Sequence, residues 1–140
     1  LTDVTGVQTC ALPISITNVS TYDAPLPGGH YSQAVVADKL ILVSGQLPMV
    51  PLTGEKITGG IGDQTLQALK NVLSIVKAAG GDLTTIARTT IYSTDVKHWE
   101  EINRVYADFF GSVHPARSII TVAALHHGFL VEIEAVAFLK

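Results

Sequence analysis

Apolar and polar positions along this chain follow two periods, and the switches between them mark out the elements. A short strand is predicted around Ile16 to Val19, and the YDAPLPGGH run after it, with two prolines and two glycines, reads as a loop. Tyr31 to Val36 and Leu40 to Ser44 read as strands joined by a turn at Asp38 and Lys39, and PLTGEK at 51–56 is a second turn. From Asp63 to Ala79 the period lengthens: Leu66, Leu69, Leu73 and Val76 recur at helical spacing, and Gly80 and Gly81 supply the stop. Ile86 to Tyr92 is rich in β-branched residues and reads as a strand. Asp95 is placed to cap a second helix with Trp99, Ile102, Tyr106 and Phe109 on one face. Two further strands are predicted over Ala116 to Leu125 and Leu130 to Phe138, closed by LHHGF into a hairpin.

This order predicts an α+β domain, a mixed sheet of about six strands with two helices packed on one face. Runs such as LILVSG and SIITVAAL are apolar on both faces, whereas two helices cover only one. The second face is therefore expected to be buried against other copies of the chain.

Composition changes the picture in two places. The 140 residues are 47% hydrophobic and 15% charged, with a net charge of -3, which suits one soluble domain and offers neither a membrane span nor the basic footprint of a nucleic-acid binder. A single cysteine, Cys10, leaves no disulfide framework and points to a reducing, cytoplasmic setting. The first fifteen residues show no periodicity, and VTGVQTCALPIS resembles the translation of a sequencing-adaptor oligonucleotide. Residues 1–15 are thus expected to be a non-native extension, with a single domain over 16–140.

The candidate chemistry centres on HPARSII. Arg117 opens an apolar strand, and a guanidinium that the fold buries must meet an anion there, either a structural carboxylate or a ligand. In EIEAVAF, Glu132 and Glu134 share one strand face, which makes Glu132 the counter-charge candidate. With the expected hairpin register, however, Arg117 and Glu132 lie about six residues, or roughly 20 Å, apart. A site containing both would need a neighbouring subunit. Other signals are weaker. His126 and His127, adjacent in a loop, are expected to point apart without forming a metal site; GGIGD lacks the lysine of a phosphate loop; no GxSxG elbow accompanies Ser32, Ser44 or Ser118.

The ordered set GGHYSQAV, LILVSGQLP, the TGE turn, DQTLQALKNV, TTIYSTDV, INRVYADFF, HPARS and VEIEAVAF resembles the reactive-intermediate deaminase (YjgF-like) family. That resemblance implies a chorismate-mutase-like fold, a closed homotrimer with clefts between subunits, and hydrolysis of 2-imino acids released by pyridoxal-phosphate enzymes to 2-keto acids and ammonia, without metal or organic cofactor. It implies that Arg117 binds the substrate carboxylate, that Glu132 handles water, and that Tyr31 is the site tyrosine. Ser44 and Gly45 would form a wall of polar backbone, Asn103 a support, and Ile119 would stand where some members use a cysteine's backbone. His30 replaces a proline common in the family.

Arg suits this chemistry because its fork grips a planar carboxylate bidentately, and a glutamate can orient water and shuttle a proton. Two alternatives remain at this level. One is a regulatory module that binds small carboxylates such as keto acids without turnover. The other, RNA cleavage or translation inhibition, sits poorly with the acidic charge balance.

Overall fold

The computed structural model describes residues 12–140. Residues 1–11 of the expected extension lie outside that range, and 12–15 are exposed. Six strands, β1 (Ile16–Val19), β2 (Ala34–Ala37), β3 (Leu40–Gln46), β4 (Ile86–Ser93), β5 (Ala116–Thr121) and β6 (Val131–Phe138), form one mixed sheet in the order β1-β2-β3-β6-β4-β5. Two helices, α1 (Ile61–Ala79) and α2 (Trp99–Phe110), lie on one face, as the α+β reading expects.

Local chemistry explains the boundaries. Asp38 takes a left-handed conformation (φ 55°) and turns β2 into β3, while Leu52 and Gly54, both at φ 67°, close the PLTGEK turn. Gly80 at φ 106° ends α1, and its N–H bonds to the carbonyls of Lys77 and Val76. Asp95 accepts from the Lys97 N–H, but it caps a short 3-10 turn over Val96–His98 that leads directly into α2.

Three expectations need correction. Of the expected spacing on α1, Leu69 and Val76 are buried and Leu73 packs half-buried against the core, but Leu66 is exposed, because the buried stripe is completed by Ile61, Thr65, Ala68, Val72 and Ile75 instead. Strand β2 starts at Ala34, since Tyr31 to Gln33 belong to a loop held by side-chain hydrogen bonds. Most consequentially, β5 and β6 are not a hairpin: β4 lies between them, parallel to β5 and antiparallel to β6. LHHGF is instead a crossover past the end of β4, anchored where the Thr94 N–H donates to the Leu130 carbonyl at 3.1 Å. Accordingly β5 stops at Thr121, not Leu125.

Ile41, Val43, Ile91, Ile133, Ala135 and Ala137 point from the sheet into a core shared with both helices. Each large aliphatic side chain buried there contributes about 1.5–3 kcal/mol. Among the described residues, the opposite face carries no helix. Ile16, Ala37, Leu40 and Phe138 form one row across it, with Ile16 68% and Phe138 45% exposed. Farther along the strands the same face turns polar, with Thr90, Ser118, Tyr92, Glu134 and Glu132.

Candidate functional site

Tyr31 is positioned by the loop that precedes β2. The buried Gln33 amide ties this loop together: its Oε1 accepts from the Thr21 N–H at 2.7 Å, and its Nε2 donates to the carbonyls of Thr21 (3.0 Å) and Pro25 (2.8 Å). Ser44 Oγ donates to the Ser32 carbonyl at 2.6 Å, pinning the next residue to β3. Tyr31 OH accepts from the Gly28 N–H at 3.1 Å, so the ring stands half-exposed at the edge of a cleft.

The floor of that cleft comes from an irregularity in β3. Pairing with β6 slips between Val43 and Gln46, so that Ser44 and Gly45 bulge out opposite Glu134. The side chain of Glu132 lies directly over Gly45, where any Cβ would overlap its Oε1. Glu132 alternates with Val131 and Ile133, both fully buried in the core, and so projects from the open face. Burial raises its pKa above the ordinary glutamate value, the negative charge of Glu134 raises it further, and His126 opposes the shift. A proton on this group is therefore held more tightly than on a free glutamate. Glu134 is itself engaged, accepting from Tyr92 OH at 2.7 Å. Gly45→Ala is expected to displace the Glu132 carboxylate toward solvent with little loss of Tm, so that its titration, followed by NMR beside a melting curve, moves down toward the ordinary glutamate range.

Tyr31, Ser44, Gly45 and Glu132 thus come together, lining a cleft of about 790 Å³ with Leu47, Met49, Leu125, His126 and His127. The histidines were not expected there. Their rings meet edge to face, 5.2 Å apart, and His127 Nδ1 lies 3.3 Å from Lys56 Nζ. Adjacency alone gave them no shared direction; the left-handed conformation of His127 (φ 58°) and the crossover route put both at the cleft. Among the described residues, no three His, Cys, Asp or Glu side chains converge as metal ligands, and no helix is long and apolar enough to cross a membrane.

Arg117, Asn103 and Ile119 lie elsewhere. Arg117 pairs in register with Thr89, which is fully buried on the helix side, and therefore projects toward α2. Its Nη2 donates to Asn103 Oδ1 at 3.0 Å, and its guanidinium lies 4.6 Å from the Tyr106 ring centroid. The ion pairs among the described residues join Arg104 to Glu101 and Asp108, and Lys140 to Asp82, and Arg117 takes part in none of them. Ile119 is half-buried on the edge strand β5, whose outer backbone groups have no ladder partner among the described residues. Glu132 pairs with Tyr92, three positions along from Thr89. Arg117 and Glu132 are thus about 14 Å apart at Cα by strand rise and spacing, with side chains leaving opposite faces. The two side chains are out of each other's reach within one chain, as expected, but at about 14 Å and not the roughly 20 Å of a hairpin, and the cause is the sheet order.

A model of the family described as Endoribonuclease L-PSP matches residues 21–139. The chain is 44% identical over 119 residues to a human protein named 2-iminobutanoate/2-iminopropanoate deaminase, covering 85% of this chain and 87% of that one. It is 42% identical to the Arabidopsis thaliana protein named Reactive Intermediate Deaminase A, chloroplastic, covering 86% of this chain and 65% of the relative. The crystal structure of the YjgF gene product from E. coli superposes with a TM-score of 0.84 at 36% identity, covering 89% of this chain and 99% of that chain.

Proposed function

Because this chain belongs to the Endoribonuclease L-PSP family, we propose that it is a hydrolase acting on C=N bonds, converting reactive 2-imino acids to 2-keto acids and ammonia. Arg117 binds the substrate carboxylate, and Glu132 activates water. The observation that carries the reading is the pair of half-sites: an arginine without a carboxylate partner among the described residues, and a half-buried glutamate in a cleft with a tyrosine.

The two halves leave opposite faces of one sheet, so the site forms between copies of the chain in a closed homo-oligomer, as in a trimer. The apolar rows of Ile16, Leu40, Leu42 and Phe138 supply the surface that such an assembly would bury.

The chemistry follows from the groups. Arg117 holds the carboxylate and thereby orients the neighbouring imine carbon. Glu132 takes a proton from water as the new C–O bond forms, and it returns that proton to nitrogen. Glu132 then takes the carbinolamine's hydroxyl proton and passes it to the amine as the C–N bond breaks, which forms the ketone and releases ammonia. Tyr31 donates a hydrogen bond to substrate or water, while Ser44, Gly45, Asn103 and Ile119 shape and support the two halves.

RNA cleavage, which the family's description suggests, fits less well. The chain is net negative, and the carboxylate that lines the cleft beside the two histidines is backed by a second acid, a poor seat for a phosphate backbone. The deciding experiment follows ammonia release from freshly generated 2-iminopropanoate and 2-iminobutanoate. The parent accelerates release, and Arg117→Ala raises KM on the order of a hundredfold. A parent that binds 2-oxobutanoate through Arg117 without turnover would make the protein a keto-acid-binding module instead.

A further inference from the structure

Arg117 lies under one face of α2, where Trp99, Asn103 and Tyr106 follow one another at helical spacing. Asn103 takes one hydrogen from Nη2. The guanidinium carbon sits 4.6 Å from the centroid of Tyr106 and 5.9 Å from that of Trp99. Tyr106 is itself fixed: it is buried, its ring packs 4.5 Å from Phe110, and its hydroxyl meets Thr89 Oγ1 at 2.8 Å in the core. Thr89 is also the register partner of Arg117 on β4, so strand and helix hold the arginine from two sides.

We propose that Tyr106 is a positioning residue for Arg117, its ring face holding the guanidinium plane so that the donors not taken by Asn103 are presented to a substrate carboxylate. The physical need is clear. A long side chain without a carboxylate partner would spread over several rotamers, and a two-point grip requires a fixed plane. An aromatic face supplies attraction without competing for N–H donors, as a carboxylate would. Trp99, 47% exposed, closes the outer side of the same bracket.

This inference rests on the assignment of Arg117 to substrate binding, and its test separates the two. The full chain and its Tyr106→Phe, Tyr106→Leu, Trp99→Leu and Arg117→Ala variants are compared in 2-iminobutanoate hydrolysis and in 2-oxobutanoate binding by calorimetry, with Tm and oligomer size monitored. Tyr106→Leu is expected to raise KM and weaken 2-oxobutanoate binding by about tenfold, with kcat within about twofold, whereas Tyr106→Phe, which keeps the ring, stays within about twofold of the parent. Unchanged KM and binding in a folded Tyr106→Leu protein would overturn the proposal. Equal damage from Tyr106→Phe would overturn it too, by moving the role to the hydroxyl. Should Tyr106→Leu fail to fold, the exposed Trp99→Leu decides: a loss of about threefold in binding supports the bracket, and none overturns it. Unchanged hydrolysis by Arg117→Ala would instead remove the substrate-binding role on which the bracket depends.

Discussion

Glu132→Gln is expected to lower kcat for 2-iminobutanoate hydrolysis on the order of a thousandfold while KM stays within about threefold. Glutamine keeps the shape over Gly45 and can still hydrogen-bond water, but it cannot accept the proton that water loses. The pH profile checks the same assignment. The active form of a base is ionised, so activity rises with pH through the pKa of Glu132. Burial and the charge of Glu134 both displace that limb upward from the ordinary glutamate position. Glu134→Gln removes one negative charge beside Glu132 yet can still accept from Tyr92, so the limb should move to lower pH. A limb that stays in place, or moves upward, would assign the titration to another group.

How far the site was legible in the sequence follows from what periodicity encodes. Alternation reports the face of a strand, and it placed Glu132 and Glu134 together on the side opposite Ile133 and Ala135. It does not report neighbours. Two apolar runs joined by a short glycine-containing loop look the same whether they pair with each other or flank a third strand, and only the packing of α2 as a crossover puts β4 between β5 and β6. Hence the opposite-face relation of Arg117 and Glu132 was not visible, although both residues were.

Helical spacing likewise announced α1 without saying which line of residues the sheet would choose, because Leu66 and Ala68 fit different stripes of one helix. Tyr31 looked like strand by its neighbours. Its loop conformation depends on Gln33 reaching carbonyls of Thr21 to Pro25, a contact across about ten residues that no local pattern contains. His126 and His127 were visible as residues and invisible as cleft walls for the same reason.

At 2-iminobutanoate concentrations well below the parent's KM, where a hundredfold rise in KM leaves Arg117→Ala about 1% of the parent's rate, co-expression with Glu132→Gln should recover activity that neither variant shows alone. Within one chain the two side chains leave opposite faces of the sheet, so on the proposed reading each complete site takes its arginine from one copy and its glutamate from the next. In an equal random mixture, one copy must be the Glu132→Gln chain, which still supplies Arg117, and its neighbour the Arg117→Ala chain, which still supplies Glu132. About one quarter of the sites then carry both groups, whatever the number of copies in the closed ring, and specific activity should return to about a quarter of the parent's. If both groups acted within a single chain, every site would lack one of them and the mixture would stay as inactive as its components. Recovery near a quarter would therefore locate the chemistry between copies. Recovery to nothing, with mixed oligomers demonstrated by tag pull-down, would require the Arg117 and Glu132 surfaces to serve separate ligands.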